Sequence, residues 1–376
     1  MKLKKVVVVP DSFKGTMSSL EICRIMTEAI LARAPGAQVI QIPVADGGEG
    51  SVDAFLAAAG GRRITLSAAG PWMEPIEASY GMLADGTAVI ETAACAGLPL
   101  AEGRLNPGQT TTYGVGQLLR DALERGCRRL ILGLGGSATN DLGAGAAAAM
   151  GVRFTDSSGR EFVPLGETLD QIARIDLSGL PKALEDAELI AMCDVDNPLC
   201  GPSGAARVFA PQKGADPEQA ERLDRRLAAG AAAIRRELGR DVEQMPGAGA
   251  AGGLGGGAAA FLGAVLRPGI ETVLDLAGFD EKLRGADLVL TGEGRLDRQS
   301  LRGKVVAGVA RRCRQAGVPA VAIVGDIGEE IDPIYQEGIS AVLSINRIAA
   351  DFRQVRGRSA SDLRLTVDTL FRLLSL

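Results

Sequence analysis

The sequence predicts an α/β protein in which a parallel, Rossmann- or flavodoxin-like sheet domain carries a second, mixed α/β domain inserted within it. Near both ends of the 376-residue chain, short strands that are apolar on both faces alternate with helical segments. This alternation is typical of a parallel sheet that is covered by helices on both sides. The middle of the chain instead holds short segments separated by Gly, Pro and Asp-Gly, as in an antiparallel meander.

The N-terminal part of this pattern is a βαβα unit. Residues 5–9 form an apolar strand, and Ser18 stands three residues before Glu21, which is the spacing of a capping box at a helix start. A second buried strand is predicted at residues 39–44, and the helix after it is expected to end near Ala59. The C-terminal part repeats the alternation. Its predicted elements are strands at residues 288–291, 320–324 and 341–345 and helices at residues 303–316 and 361–376.

The central part supplies the inserted domain. Its predicted elements are a meander at residues 64–67, 76–82 and 88–92, buried strands at residues 129–134 and 189–193, and a helix at residues 219–238. We therefore assign residues 1–66 and 284–376 to the Rossmann-like domain and residues 67–283 to the insertion. A division into two halves is less favourable, because each small βα end would lack enough strands for its own sheet.

The composition excludes several classes of partner. Of the 376 residues, 50 are Gly and only 3% are aromatic, and the net charge is −5. Few aromatic platforms and an acidic balance argue against a nucleic-acid or membrane-surface binder. Six scattered cysteines without a CxxC pair predict reduced thiols rather than disulfides or a zinc site. With no signal peptide and no apolar stretch of bilayer length, we expect a cytoplasmic protein. The sequence leaves both a monomer and a homodimer open.

The chain contains no histidine. This excludes Ser-His-Asp and Cys-His hydrolases, His-ligated zinc and iron sites, and dehydrogenase mechanisms that use His. Acid–base chemistry must therefore fall to Asp, Glu, Lys, Tyr, Cys or water. Phosphoryl transfer is compatible with this, because positioning and charge neutralisation carry most of its catalysis.

Polar and mostly Gly-rich loops follow the predicted strands, at residues 10–15, 45–50, 133–141, 193–199 and 291–297. In an open parallel sheet, ligands bind at the carboxyl ends of the strands. Glycines expose backbone N–H groups to an anion, a following helix N-terminus adds its dipole, and acids can hold Mg²⁺ or accept a hydroxyl proton. Any single loop could be an ordinary turn whose Asp caps the next helix. Together, the loops predict a shared cleft.

The standard nucleotide-binding signatures are missing or out of context. Lys304 is followed by Val305, where a Walker motif requires Ser or Thr. Gly247, Gly249 and Gly252 match G-x-G-x-x-G, but residues 241–246 before them are not predicted as a strand. A chance match is the favoured interpretation, and a glycine-lined passage for phosphates is the alternative.

Charged side chains on the loops admit both a functional and a structural interpretation. Asp194 and Asp196 point to opposite sides of an extended segment, so only one is expected to face a ligand. Glu293 and Asp297 could converge on a ligand or pair with nearby Arg. Lys213 is as compatible with a solvated surface position as with a ligand.

The loop segments resemble the bacterial glycerate kinase family that lacks a Walker motif. The matching segments are PDSFKG (10–15), ADGGEG (45–50), GLGGSATNDLGAG (133–145), CDVDNPL (193–199), FAPQKGA (209–215), GAGAAGGLGGG (247–257) and TGEGRLDRQS (291–300). They run essentially end to end in the family's order. The resemblance implies ATP-dependent phosphorylation of D-glycerate, a Mg²⁺ requirement, and an active site in the cleft between two α/β domains. It implies 2-phosphoglycerate as the product, with 3-phosphoglycerate as the alternative.

On this resemblance we assign expected roles to residues of the matching segments. The expected catalytic residues are Asp194, Lys14 and Asp46, with Asp194 as the preferred base or Mg²⁺ ligand. The expected substrate-binding residues are Asp11, Ser12, Gly47, Gly48, Asn140 and Asn197. The expected ATP-binding residues are Gly135, Gly136, Ser137, Gly292, Glu293 and Lys304. The expected metal ligands are Asp194 and Asp297.

Two other functions stay open from the residues alone. An NAD-linked hydroxyacid oxidoreductase would use the glycine segment 247–252 for its cofactor. A non-catalytic small-molecule sensor would explain a cleft without chemistry, although the sequence shows no basic DNA-reading element or effector module.

Overall fold

The computed structural model describes residues 3–44, 50–298, 300 and 304–375. Its strands are β1 (Lys5–Pro10), β2 (Gln38–Gln41), β3 (Gly61–Ala69), β4 (Pro75–Leu83), β5 (Thr87–Glu91), β6 (Arg129–Gly133), β7 (Arg153–Thr155), β8 (Glu161–Phe162), β9 (Arg174–Asp176), β10 (Glu188–Met192), β11 (Val265–Arg267), β12 (Leu288–Gly292), β13 (Arg295–Leu296), β14 (Ala320–Val324), β15 (Asp326–Ile327) and β16 (Ile339–Ser344).

The helices alternate with these strands along the chain. They are α1 (Ser19–Arg33), α2 (Ser51–Ala59), α3 (Ala93–Ala96), α4 (Tyr113–Glu124), α5 (Ala144–Ala149), α6 (Ala205–Phe209), α7 (Pro217–Leu238), α8 (Leu254–Leu262), α9 (Gly269–Leu276), α10 (Phe279–Leu283), α11 (Val305–Ala316), α12 (Pro333–Glu337), α13 (Phe352–Val355) and α14 (Ser359–Leu374). Among the helices of the described residues, none has both the length and the apolar character needed to cross a bilayer.

Residue contacts divide the chain into two compact units. The parallel-sheet unit consists of Met1–Asp46, Ala57–Ala59 and Pro268–Leu376, and the mixed-sheet unit consists of Gly47–Leu56 and Gly60–Arg267. The boundaries near residues 66 and 284 stay a prediction for the domain organisation.

The parallel-sheet unit is built on a sheet in the order β2-β1-β12-β14-β16, in which every pairing is parallel. When the five strands of this sheet are numbered 1 to 5 in chain order, their spatial order is 2-1-3-4-5, which is the flavodoxin-like order. The four valines of β1 and all residues of β12 and β14 are buried, because these strands have neighbours on both sides and helices on both faces. The predicted parallel α/β fold is thereby confirmed.

The second strand departs from its prediction. We expected a buried strand at residues 39–44, but β2 ends at Gln41, and both Gln38 and Gln41 are exposed. β2 pairs only with β1 and forms the edge of the sheet, so its polar ends can face water. The apolar residues Ile42 and Val44, which produced the prediction, are buried in the segment after the strand.

Helix α1 begins where its sequence predicts. The Oγ of Ser18 accepts a hydrogen bond from the Glu21 N–H at 3.2 Å, which satisfies one of the amides left open in a first helical turn. Its face Ile22, Met26 and Ile30 is fully buried against β1 and α14. This apolar face is what holds the helix on the sheet.

The mixed-sheet unit has a sheet in the order β11-β10-β6-β5-β4-β3. β11, β10, β6 and β5 are parallel, whereas β5, β4 and β3 pair antiparallel. The predicted meander is therefore confirmed. A smaller antiparallel sheet, β8-β7-β9, extends the core, where the rings of Phe154 and Phe261 meet edge to face with centroids 5.4 Å apart.

Gly292 ends β12 at a point where the neighbouring strand leaves no room for a side chain. A Cβ built on Gly292 would lie 1.9 Å from the carbonyl oxygen of Ile323 in β14. Backbone oxygens in a central strand cannot move aside without disturbing the sheet hydrogen bonds. The residue at this strand end must therefore be glycine.

We expect Gly292→Ala to lower the free energy of unfolding of the protein by about 1–3 kcal/mol, the usual cost of overpacking a tight interior. Gly36→Ala is the matched control, because a Cβ there meets nothing within 4 Å, and it should change stability by less than about 0.5 kcal/mol. Urea denaturation of both variants measures the effect. Equal stabilities of the two variants would contradict this account of the strand end.

Candidate active site

The parallel sheet has its topological switch point between β1 and β12. From β1 the chain adds β2 on one side, whereas β12, β14 and β16 are added on the other. In such sheets, ligands bind outside the carboxyl ends of the strands at this point. Pro10 and Gly292 are paired there, and the Asp11 N–H donates to the Gly292 carbonyl at 2.8 Å. The predicted loops at residues 10–15 and 291–297 thus begin where this fold places its ligands.

The two loops touch each other directly. A Cβ on Gly294 would lie 3.5 Å from the backbone nitrogen of Lys14. Asp11 turns its Oδ1 back to accept the Ser12 N–H at 2.6 Å. Asp11 and Ser12 are half-buried and Lys14 is exposed. The structure therefore brings together Asp11, Ser12 and Lys14 with Gly292 at the sheet edge.

Glu293 is a buried carboxyl group at this edge. It is only 4% exposed, and burial raises its pKa to about 7. The charges of Asp11 and Asp297 raise the pKa further, whereas a hydrogen bond from Ser300 and the positive charge of Lys304 oppose the shift. Glu293, Asp297 and Lys304 thus belong to one electrostatic cluster.

Three predicted site residues, Asp46, Gly47 and Gly48, lie outside the described residues.

The predicted site residues on the loops after β6 and β10 belong to the mixed-sheet unit. There, β6 and β10 are parallel neighbours, and Gly133 pairs with Met192 at their carboxyl ends. The loops that follow, residues 133–141 and 193–199, therefore begin side by side.

Hydrogen bonds to Ala96, Leu98 and Thr110 hold the backbone of the Gly-rich loop after β6. The Leu98 N–H donates to the Gly136 carbonyl at 2.9 Å, and the Ala138 N–H donates to the Ala96 carbonyl at 2.7 Å. The Oγ1 of Thr110 donates to the Ala138 carbonyl at 2.8 Å. Of the predicted ATP-binding residues in this loop, Gly136 is exposed, Gly135 is half-buried and Ser137 is buried.

Asp141 closes the Gly-rich loop and holds the start of α5. Its fully buried carboxylate accepts hydrogen bonds from the Thr112 N–H at 2.7 Å, the Thr112 hydroxyl at 2.8 Å, and the Gly143 and Gly145 N–H groups at 3.1 and 3.3 Å. Burial raises the pKa of Asp141, and these hydrogen bonds oppose the shift. Two amides at the start of α5 therefore bind Asp141. We expected the dipole of a helix after this loop to act on a bound anion, but in the structure it acts on the Asp141 side chain.

Asn140 has a side chain that the protein leaves unsatisfied. It is fully buried, and among the described residues neither its Oδ1 nor its Nδ2 has a hydrogen-bond partner. A buried polar group without a partner costs about 1–3 kcal/mol, so such groups usually meet a ligand or an ordered water. Asn140 was predicted to bind substrate, and this orphaned amide is compatible with that role.

The loop after β10 carries the predicted base. Both Asp194 and Asp196 are exposed, while the Asn197 Nδ2 donates to the Ser203 carbonyl at 2.7 Å. Burial raises the pKa of the neighbouring Cys193 thiol to about 11, and this thiol donates to the Val195 carbonyl. Cys193 is therefore a structural thiol rather than a reactive one.

The G-x-G-x-x-G match is explained by close packing of backbones. A Cβ on Gly249 would lie 2.3 Å from the Pro198 carbonyl oxygen, and one on Gly252 would lie 2.0 Å from the Thr139 oxygen. Residues 241–246, all described, form no strand. These glycines let the segment lie against the loops that follow β6 and β10, so they give no support to an NAD-linked oxidoreductase.

Lys213 is a buried lysine beside the Gly-rich loop, and the sequence left its environment open. It is only 2% exposed, so the alternative of a solvated surface lysine is wrong. Its Nζ donates to the Ser137 Oγ at 2.9 Å and to the Thr139 carbonyl at 2.7 Å. Burial lowers the pKa of Lys213 to about 7. In the sequence, Lys213 stands out because it belongs to the matching segment FAPQKGA. No local pattern distinguishes a buried lysine from an exposed one.

The predicted metal ligands offer suitable chemistry. Asp194 lies in the mixed-sheet unit and Asp297 in the parallel-sheet unit, and both are carboxylates, the protein ligands that Mg²⁺ prefers. Within the part of the chain that the structure describes, no group of three or more Cys, Asp or Glu side chains could hold a metal ion. Mg²⁺ in kinase sites commonly takes one or two carboxylates together with substrate phosphates.

Glu293→Gln should change how stability depends on pH. The folded-state pKa of Glu293 is raised above its ordinary value, so the stability that its protonated form contributes is full below about pH 4.5 and is lost as pH rises through about 7. We expect the stability of the wild type relative to the variant to fall by up to about 3 kcal/mol between pH 4.5 and 8. Urea denaturation in EDTA at several pH values tests this. Glu185→Gln, at an exposed position, is the control, and a Glu293→Gln curve parallel to the wild type would contradict the expectation.

Comparison with known proteins assigns the family. The model of the glycerate kinase family matches residues 6–375. The chain is 45% identical to a glycerate kinase of Halalkalibacterium halodurans over 91% of each chain. It is 43% identical to the glycerate 2-kinase of Escherichia coli, over 91% of this chain and 90% of the relative. A crystal structure from Salmonella typhimurium LT2, described as a glycerate kinase 2, superposes with a TM-score of 0.88 at 39% identity, covering 99% and 98% of the two chains. The chain therefore belongs to the glycerate kinase family.

Proposed function

We propose that this enzyme transfers the γ-phosphoryl group of ATP to the 2-hydroxyl of D-glycerate, giving 2-phospho-D-glycerate. The observation that carries the proposal is the placement of four family-matching loops, those after β1, β6, β10 and β12, at the carboxyl ends of sheet strands, with the loops after β1 and β12 at a topological switch point. The relative from Escherichia coli that is named glycerate 2-kinase supports the choice of the 2-hydroxyl.

In the parallel-sheet unit, Asp11, Ser12 and Lys14 are proposed to hold glycerate. The ammonium group of Lys14 would pair with the carboxylate of glycerate, and Ser12 would hydrogen-bond its hydroxyls. Asp46, Gly47 and Gly48, which lie outside the described residues, are also proposed to bind substrate. Gly292 and Glu293 would line the ATP site, and Lys304, at the N-cap of α11, would neutralise phosphate charge.

In the mixed-sheet unit, the loop after β6 is proposed to receive the phosphates of ATP. Gly135 and Gly136 leave backbone N–H groups unobstructed by side chains, and Ser137 adds a hydroxyl. The orphaned amide of Asn140 and the side chain of Asn197 would hydrogen-bond substrate oxygens.

Asp194 is the proposed base. Its carboxylate would accept the proton of the glycerate hydroxyl as that oxygen forms its bond to the γ-phosphorus, while the bond to the leaving ADP oxygen breaks in line. Asp194 and Asp297 are each proposed as a carboxylate ligand for Mg²⁺, which would neutralise negative charge on the phosphates. No histidine is needed for any of these roles.

We further propose that the enzyme works in the cytoplasm on small molecules alone, as a monomer or a homodimer. The net charge of −5 and the scarcity of aromatic residues support the absence of a nucleic-acid partner.

One assay tests the reaction. ADP release is followed with D-glycerate as acceptor, and the product is examined by phosphorus NMR. We expect ADP formation that depends on D-glycerate and Mg²⁺, and a phosphate resonance coupled to the C2 proton. A phosphate on C3 would overturn the proposed position. A substrate-dependent change in NAD(P)H absorbance without ADP would overturn the kinase reaction itself.

We expect Asp194→Asn to reduce kcat at least about 100-fold, because general-base catalysis is commonly worth this much. Asp196→Asn is the matched control, since Asp196 is exposed on the same segment two residues on, and it should keep near-normal kcat. Circular dichroism and urea denaturation confirm folding of both variants. Near-normal turnover by a well-folded Asp194→Asn variant would rule out Asp194 as the base.

A further inference from the structure

Lys213 is a buried charge that the proposed catalytic roles do not use. It ends the short turn Pro211–Lys213 between α6 and α7, and its side chain is 2% exposed. Lysine is almost never fully buried unless its ammonium group is paired, because removing that charge from water is costly. A structure that accepts this cost generally uses the buried group for something specific.

The contacts of Lys213 are directed at one short piece of the Gly-rich loop. Its Nζ donates to the Ser137 Oγ at 2.9 Å and to the Thr139 carbonyl at 2.7 Å. These partners flank Ala138, whose own N–H and carbonyl are bound by Ala96 and Thr110. Lys213 therefore fixes the two residues on either side of Ala138, and it fixes them from a part of the chain more than 70 residues away.

The charge of Lys213 is balanced within the same loop. The buried Asp141 follows Thr139 by two residues, and its negative charge favours the protonated form of Lys213, while burial acts in the opposite direction. Asp141 in turn binds Thr112 and the start of α5. Loop residues 137–141 are thus fixed at one end by the Lys213 amino group and at the other by the Asp141 carboxyl group.

We propose that Lys213 is a positioning residue, which holds Ser137 and Thr139 so that the Gly-rich loop presents its backbone N–H groups and the Ser137 hydroxyl to the phosphates of ATP in a single geometry. The inference rests on the proposed function of this loop. In this role Lys213 acts through Ser137 and Thr139 and need not touch the substrate.

The test compares Lys213→Met with the wild type in three measurements. These are the Kd for Mg²⁺ and the non-hydrolysable ATP analogue AMP-PNP by calorimetry, the two KM values with kcat, and amide hydrogen exchange over residues 135–140. We expect the Kd for AMP-PNP and the KM for ATP to rise roughly tenfold or more. The KM for D-glycerate should change less than about twofold, and exchange should accelerate in the loop. A purely structural role would lower stability without this separation between the two substrates.

The controls separate the possible outcomes. Lys182→Met removes an exposed lysine of the same unit and should change none of the three measurements. If Lys213→Met does not fold, Lys213→Gln, which keeps a donor but no charge, is measured in the same way with the same expectation. Unchanged Kd and loop exchange in a folded Lys213 variant would overturn the inference.

A third variant distinguishes failure of the inference from failure of the proposed function. Gly136 is exposed with φ of +74°, so Gly136→Val would add bulk and backbone strain to the loop without removing either hydrogen-bond partner of Lys213. If Gly136→Val weakens AMP-PNP binding and Lys213→Met does not, the loop binds ATP and the inference about Lys213 is wrong. If Gly136→Val also leaves the Kd unchanged, the proposed phosphate site in this loop is wrong, and the inference falls with it.

Discussion

The parallel pairing of β1 with β12 is the constraint on which the parallel-sheet unit depends. It places Val6 beside Leu288 and Pro10 beside Gly292, so two distant parts of the sequence share one sheet. The pairing is fastened at its start by Asp287, whose carboxylate accepts the N–H groups of Lys4 and Lys5 at 2.6 and 2.8 Å. Because β2 lies beyond β1 and β14 beyond β12, this one pairing also creates the switch point where the loops for ligands begin.

Much of the fold could be predicted because its signals are local. The apolar runs of β1, β12 and β14 identify central parallel strands by themselves, and Ser18 identifies the start of α1 from a pattern four residues long. The failure at β2 has a physical reason: Ile42 and Val44 are as apolar as a strand interior, but they are buried after the strand has ended. An apolar residue indicates that a position is buried, but a strand is defined by the hydrogen bonds of its backbone to a neighbouring strand.

The candidate site was predictable to the extent that its chemistry lies in contiguous loops. The segments after β1, β6, β10 and β12 could be found because strand-end position and glycine content are visible along the chain. Lys213 and Asp141 could not be resolved in this way, because their state depends on partners elsewhere in the sequence, namely Ser137 for one and Thr112 for the other. The glycines at 249 and 252 gave a misleading signal, since close packing and nucleotide binding both require residues without a side chain.

The uneven division of the chain between the two units has a consequence for how the protein folds during synthesis. Almost all of the mixed-sheet unit is one continuous stretch, Gly60–Arg267, and it emerges from the ribosome before β12 exists. β1 therefore cannot pair with β12 until more than 270 further residues have been synthesised. Domains generally fold as units, and contacts between distant residues form slowly. The valine-rich β1 can pack early against α1 and β2, which follow it directly in the sequence, but its edge facing β12 stays unpaired for most of translation.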